Sequence, residues 1–196
     1  MAKLYFTYAA MNAGKSTTLL QSSFNYRERG MRTMIFTAAL DTRAGAGSIV
    51  SRIGLREEAA VFDAETNLFE QVSAEQAKEA IACIFVDEAQ FLDKEHVFQL
   101  SQIVDALDIP VICYGLRTDF RGALFEGSQW LFALADEIRE LKTICACGRK
   151  ATMNLRVNEC GQAVRDGESI EIGGDDRYTP LCRKHFFERL ADSAQR

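Results

Sequence analysis

Proline is scarce: the chain of 196 residues carries two, Pro110 and Pro180, and no stretch rich in proline, glycine and serine. A long flexible linker between large domains is therefore not expected. No apolar run approaches the ~20 residues that span a bilayer. The start, Met1-Ala2-Lys3-Leu4-Tyr5-Phe6, has neither the apolar stretch nor the small-residue cleavage site of a signal peptide. Repeats, low-complexity tracts and blocks of like charge are missing too. Basic charge is in deficit: 23 Lys and Arg against 28 Asp and Glu leave a net charge of -5, without the basic balance of a nucleic-acid binder. What is present, 47% hydrophobic and 26% charged residues, is ordinary globular composition and excludes a disordered or collagen-like chain. At ~150 residues per domain the length suits one domain with a small appendage. Six cysteines in a chain without a targeting segment read as core thiols or metal ligands rather than disulfides. A soluble cytoplasmic protein with no membrane or nucleic-acid partner is expected.

The order of elements is legible in the first part of the chain. Leu4 to Tyr8 predicts a strand, Thr17 to Arg29 a helix ending before Gly30, and Thr33 to Thr37 a second strand. That is a βαβ unit, which implies a parallel sheet. Ile81 to Val86 and Val111 to Tyr114 read as strands buried on both faces. Between them, Val97, Leu100, Val104 and Leu107 place a helix over 94–107. Gln129 to Ala135 reads as a short helix and Glu137 to Thr143 alternates like a strand. The stretch 43–74 is the least clear, and Gly45 and Gly47 suggest a mobile loop there. After Ile144 cysteine pairs, glycines and scattered charges replace this rhythm. The expected division is a phosphate-binding α/β domain over 1–143 and a small metal-binding domain over 144–196.

Gly14-Lys15-Ser16 sits between a strand and a helix, as the core of a phosphate-binding loop does. Backbone N–H groups would wrap the phosphates at the helix N-terminus. Lys15 would reach the outer phosphates and Ser16 would hold Mg²⁺. Ala9 stands where the full pattern has its first glycine, which matters only if that position needs positive φ. Asp87 closes an apolar strand and could bind Mg²⁺. Glu88 follows it, beyond the carboxyl end of the strand, where a carboxylate could act as general base on water or a hydroxyl. Cys145, Cys147, Cys182 and His185 form three sulfurs and one imidazole, a closed structural zinc set with no open position. Cys83 and Cys113 read as core, and Cys160 has no assigned role. His96 reads as a surface histidine on the polar side of its helix. Phe91, Phe120 and Phe125 fall in loops after strand ends, where a base could stack, although core packing is the simpler reading of each.

Three stretches then converge: Tyr8-Ala9-Ala10-Met11-Asn12-Ala13-Gly14-Lys15-Ser16, Phe85-Val86-Asp87-Glu88-Ala89-Gln90-Phe91, and Tyr114-Gly115-Leu116-Arg117-Thr118-Asp119-Phe120-Arg121-Gly122. With the Cys-x-Cys and Cys-x-x-His pairs they closely resemble bacterial thymidine kinases of the type II, zinc-containing class, from about Lys3 to Phe186. The resemblance implies a RecA-like P-loop fold with a small zinc domain carrying a lid, called the lasso. It implies transfer of the γ-phosphoryl of ATP to the 5′-hydroxyl of thymidine, giving dTMP and ADP for DNA synthesis. Ala9, Ala10, Met11, Asn12, Ala13, Gly14, Lys15 and Ser16, with Asp87, Glu88, Ala89 and Gln90, would bind ATP, and alanine is acceptable at the first loop position. Ser16 and Asp87 would hold Mg²⁺, and Glu88 would be the base. Asp41-Thr42-Arg43 would lie near the phosphates. Phe91, Leu116, Phe120, Phe125, Ile172, Gly173, Gly174 and Tyr178 would line the thymidine site, the 165–178 segment ordering over bound nucleoside. A homotetramer inhibited by dTTP is also implied. The competing reading, a nucleic-acid-dependent ATPase gripping a strand through its zinc knuckle, calls for a basic, aromatic-rich surface and a second gripping domain, for which barely 50 residues remain after Thr143.

Overall fold

Strand residues that are apolar at every position need cover on both sides, and the chain supplies it. The computed structural model describes residues 1–41, 45, 47–167 and 177–192. Its centre is a six-stranded, all-parallel sheet. The strands are β1 (Leu4–Ala9), β2 (Thr33–Ala38), β5 (Ala60–Phe62), β6 (Cys83–Val86), β7 (Val111–Leu116) and β8 (Glu137–Glu140), in the order β5-β2-β6-β7-β1-β8. Side chains alternate across it. Ile84 and Val86 pack on one face with Leu4, Phe6 and Phe36, against helices α2 (Leu68–Lys78), α3 (Lys94–Leu107) and α4 (Glu126–Leu134). Cys83 and Phe85 point the other way, to Leu19 and Leu20 of helix α1 (Lys15–Arg27) and to Ile49. Ile49 belongs to a hairpin of β3 (Ser48–Val50) and β4 (Arg56–Glu58). Cys83 and Cys113 are fully buried, as expected of core thiols.

The differences from the sequence reading have local causes. Helix α1 begins at Lys15, two residues earlier than expected, because Gly14 in the left-handed region (φ 79°) turns the chain directly into it. Helix α4 begins three residues early, at Glu126. The strand over 137–143 stops at Glu140 and resumes as the short β9 (Thr143–Ile144) in another sheet. The unclear stretch holds the β3–β4 hairpin, β5 and the start of α2, whose N-cap Asn67 accepts from the Glu70 N–H at 3.1 Å. Of the loop expected there, 43, 44 and 46 lie outside the described residues. His96 is not a surface residue. It is 3% exposed, its N–H donates to Asp93 Oδ1 at 2.8 Å, its Nδ1 accepts from the Asp93 N–H, and its Nε2 meets Thr66 O at 3.1 Å. It closes a capping box at the start of α3.

Beyond β8 the chain builds a separate small core from Cys145, Ala151, Met153, Leu155, Leu181, Cys182 and Phe186. It is framed by β9 with β10 (Lys150–Ala151), by β11 (Met153–Arg156) paired antiparallel with β12 (Tyr178–Leu181), and by helix α5 (Arg183–Asp192). All four residues of β11 are buried. Met153 and Leu155 face the small core, while Asn154 and Arg156 reach residues that precede it in the chain, Met11, Thr118 and Phe120.

Candidate active site

The loop between β1 and α1 takes left-handed φ at Asn12 (63°) and Gly14 (79°), the two residue types that tolerate it. Ala9 does not need that freedom: it is the last, extended residue of β1, so an alanine there carries no backbone strain. Helices α2 and α3 have side-chain caps, but α1 has none and carries no acidic residue in its first turn. Its leading N–H groups and positive dipole end are thus directed at the space beyond β1, a setting for an anion. Lys15 Nζ lies 3.5 Å from Ala10 O, folded back over its own loop.

Strand order then brings distant residues together. β7 lies between β1 and β6, so the ends of β1 and β6 open on the same edge of the sheet. Across that gap Ser16 Oγ donates to Asp87 Oδ2 at 2.8 Å. Asp87 is 2% exposed. Its carboxyl is pushed up to about 7, first by burial and next by the neighbouring Glu88, against the opposing pull of Ser16 and Lys15. A buried hydroxyl–carboxylate pair held off its ordinary ionisation is a donor set that a divalent cation would relieve. Glu88 is buried too, and sits in the left-handed region (φ 51°), which bulky residues adopt at a cost. Its Oε2 accepts from Gln90 Nε2 at 2.5 Å. A single 3₁₀ turn, Ala89–Phe91, follows.

The aromatic and loop residues read as nucleoside contacts take different positions. Phe91 and Phe125 are half-buried and meet edge to face, ring centroids 6.1 Å apart. Leu116 is half-buried at the end of β7, its N–H donating to Gln90 Oε1 at 2.9 Å. Phe120 is 1% exposed, with the Arg156 guanidinium carbon 3.8 Å from its ring centre, so it packs as core here. Tyr178 is half-buried in β12, opposite Arg156. Thr42, Arg43, Ile172, Gly173 and Gly174 lie outside the described residues.

Cys145, Cys147, Cys182 and His185 bring their ligand atoms within 4.8 Å of one another. Cys147 and Cys182 sulfurs are 3.9 Å apart, close to the ~3.8 Å edge of a tetrahedron with Zn–S bonds of about 2.3 Å. Cys145 Sγ and His185 Nδ1 are 3.3 Å apart. The Cys145 thiol is drawn down to about 6, chiefly by the backbone N–H groups of Cys147 and Cys182. Donors aimed at a sulfur favour the thiolate, the form that binds metal. The cluster fits structural zinc.

One residue escaped the sequence reading. Asn154 on β11 is 3% exposed, and its Oδ1 accepts from the Met11 N–H of the loop between β1 and α1 at 2.8 Å. Its Nδ2 reaches Thr118 O at 3.5 Å. Asn154 therefore holds both the loop between β1 and α1 and the loop after β7. A polar residue between Met153 and Leu155 was the only trace of this in the sequence.

The family model for thymidine kinases matches residues 2–186. The chain belongs to the thymidine kinase family. It is 60% identical over 189 residues to the thymidine kinase of Mannheimia succiniciproducens, covering 96% of this chain and 97% of that one. It is 61% identical over 190 residues to that of Novosphingobium aromaticivorans, covering 97% and 99%. With the Salmonella typhimurium thymidine kinase it shares 58% over 194 residues, 99% of this chain and 95% of the other. The Gly14-Lys15-Ser16 loop, the Asp87–Glu88 strand end and the cysteine–histidine cluster all lie within the matched span.

Proposed function

We propose that the protein is an ATP:thymidine 5′-phosphotransferase, moving the γ-phosphoryl of ATP to the 5′-hydroxyl of thymidine to yield dTMP and ADP. Family membership supports the activity. The observation that carries the residue assignment is the hydrogen bond from Ser16 to Asp87, with Glu88 as the next residue. It supports reading the loop before α1, the Ser16–Asp87 pair and Glu88 as one site at the same sheet edge. Phosphoryl transfer has a loose transition state, so rate comes mainly from positioning and charge stabilisation. Residues 9–16 would wrap the phosphates with backbone N–H groups, and Lys15 would swing from Ala10 O to neutralise the transferred group. Ser16 and Asp87 would hold Mg²⁺, which would supply positive charge to the phosphates. Glu88 would take the proton from the 5′-hydroxyl. Ala89 and Gln90 would border the ATP site. Phe91, Leu116, Phe125 and Tyr178, with Phe120 behind them, would form the nucleoside side, closed by Ile172, Gly173 and Gly174.

The division into an ATP-binding domain over 1–143 and a zinc domain over 144–196 belongs to the same proposal, supported by the separate small core. A homotetrameric, cytoplasmic enzyme inhibited by dTTP rests on the resemblance alone. No described helix is long and apolar enough to cross a membrane. A phosphate-transfer assay with labelled ATP against a panel of nucleosides, with single-stranded DNA as a further arm, tests the reading. Thymidine-dependent labelled monophosphate is the expected result. ATP turnover that needs DNA and ignores thymidine would replace it with the strand-gripping ATPase.

A further inference from the structure

Gln90 was expected to touch ATP, but its side chain is engaged elsewhere. It is 2% exposed, and its amide spans two protein groups. Nε2 donates to Glu88 Oε2 at 2.5 Å, and Oε1 accepts from the Leu116 N–H at 2.9 Å. The surroundings are shaped to keep it there. A Cβ on Gly115 would come within 3.0 Å of Gln90 N and 3.1 Å of its Oε1. On the other side, a Cβ on Gly127 would lie 2.5 Å from Ala89 O and 3.1 Å from Gln90 O. Leu116 is held at its second polar group as well, since its carbonyl accepts from Ser128 Oγ at 2.5 Å. The chain Glu88–Gln90–Leu116–Ser128 thus ties the end of β6 to the end of β7 and to α4 through bonds that leave little slack.

We propose that Gln90 is a positioning residue, whose amide fixes the Glu88 carboxylate relative to Leu116 so that the base and the wall of the nucleoside pocket keep one geometry. The proposal rests on the reading of Glu88 as the base in thymidine phosphorylation. A carboxylate that must meet a hydroxyl within hydrogen-bond reach gains from such a tie, because a misplacement of ~1 Å costs up to ~10²-fold in rate. Glutamine suits the task because one amide can donate to the carboxylate and accept from a backbone N–H at once. Asparagine carries the same amide but is one methylene too short to span the two groups.

The test is a double-mutant cycle. Gln90→Met keeps length and burial but removes the amide. Its kcat with thymidine is expected to fall ~10–100-fold, while the Kd for ATP, measured by calorimetry, stays within about twofold and shows the variant folded. In a Glu88→Gln background the same change is expected to cost less than ~3-fold, since no base is left to position. Gln90→Asn should lose rate in the same pattern and serves as the second variant. Equal losses in the two backgrounds, or an unchanged kcat, would overturn the proposal. So would a tenfold loss of ATP affinity with kcat kept, which would make Gln90 an ATP contact. Absence of thymidine-dependent turnover in the unmodified protein would overturn both this proposal and the reading beneath it, whereas equal losses in an active enzyme overturn this one alone.

Discussion

Glu88 and Asp87 are adjacent in the chain, yet their surroundings differ. Glu88 holds a left-handed conformation that costs a non-glycine residue ~1–2 kcal/mol, a strain expected where geometry serves chemistry rather than stability. Glu88→Gln keeps size and hydrogen bonding but removes the carboxylate proposed as base. Its kcat should fall by roughly 10²–10⁴ with ATP binding nearly intact, as steady-state rates and ATP titration will show; near-normal turnover would mean that another group takes the proton. Asp87 behaves differently. Burial first and Glu88 second raise its carboxyl from 3.8 to about 7. A carboxyl with a higher pKa folded than unfolded takes up protons on folding, so stability falls as pH rises from about 4 to about 7. Asp87→Asn should therefore raise the Tm of the ligand-free protein near pH 7.5 and change it little near pH 4.5, while lowering activity ~10²-fold or more. Thermal melts at the two pH values check the sign: a variant less stable at both would contradict it.

Among the elements, the contact of α4 with the 3₁₀ turn 89–91 leaves no room for a side chain at Gly127. Gly127 lies in the first turn of α4, and a Cβ there would meet Ala89 O at 2.5 Å and Leu92 O at 2.6 Å, both backbone atoms that cannot swing aside. Gly127→Ala should cost ~1–3 kcal/mol of stability by overpacking, lowering Tm and also kcat, because the displaced turn carries Glu88 and Gln90. A Tm within a degree of the parent would show that the helix shifts freely. Helix type was legible where a stripe was strong: Lys94–Leu107 is a helix over the expected residues. Helix α2 was not read, although Asn67 followed three residues later by Glu70 is a start signal and Leu68 and Val72 are one turn apart. His96 misled for a related reason: the polar side of α3 is covered there by Thr66 and Phe62 from other elements.

At the scale of the molecule, the cysteine–histidine cluster and the loop between β1 and α1 are linked through one short strand. β11 and β12 belong to the core that includes Cys145 and Cys182, and Asn154 of β11 accepts from the Met11 N–H. Zinc-binding energy in such a site is also folding energy. Cys145→Ser or Cys182→Ser should lose stoichiometric zinc by metal analysis, loosen the region after Thr143 and weaken ATP binding at a distance. Asn154→Ala should keep its zinc but lose ~3–10-fold in ATP affinity, the effect of one hydrogen bond removed from the phosphate loop. If zinc-depleted protein binds ATP normally, the small core supports the nucleoside side alone.

Local pattern determined much of this protein. The parallel βα rhythm, the Gly14-Lys15-Ser16 loop between strand and helix, the acidic end of β6 and, each taken singly, the Cys-x-Cys and Cys-x-x-His pairs are written in residues close together in the chain. Each could be read because its chemistry depends on spacing. Sequence alone also placed Ala9 in doubt, and the extended backbone of β1 removed that doubt. The tertiary structure decided what lies between segments. Ser16 and Asp87 are 71 positions apart, and Met11 and Asn154 are 143 apart. Gln90 became a brace for Glu88 only when β7 set Leu116 beside it. Periodicity reports which face of an element is buried, but not which partner buries it. That choice follows from strand order, and strand order is settled by packing across the whole chain.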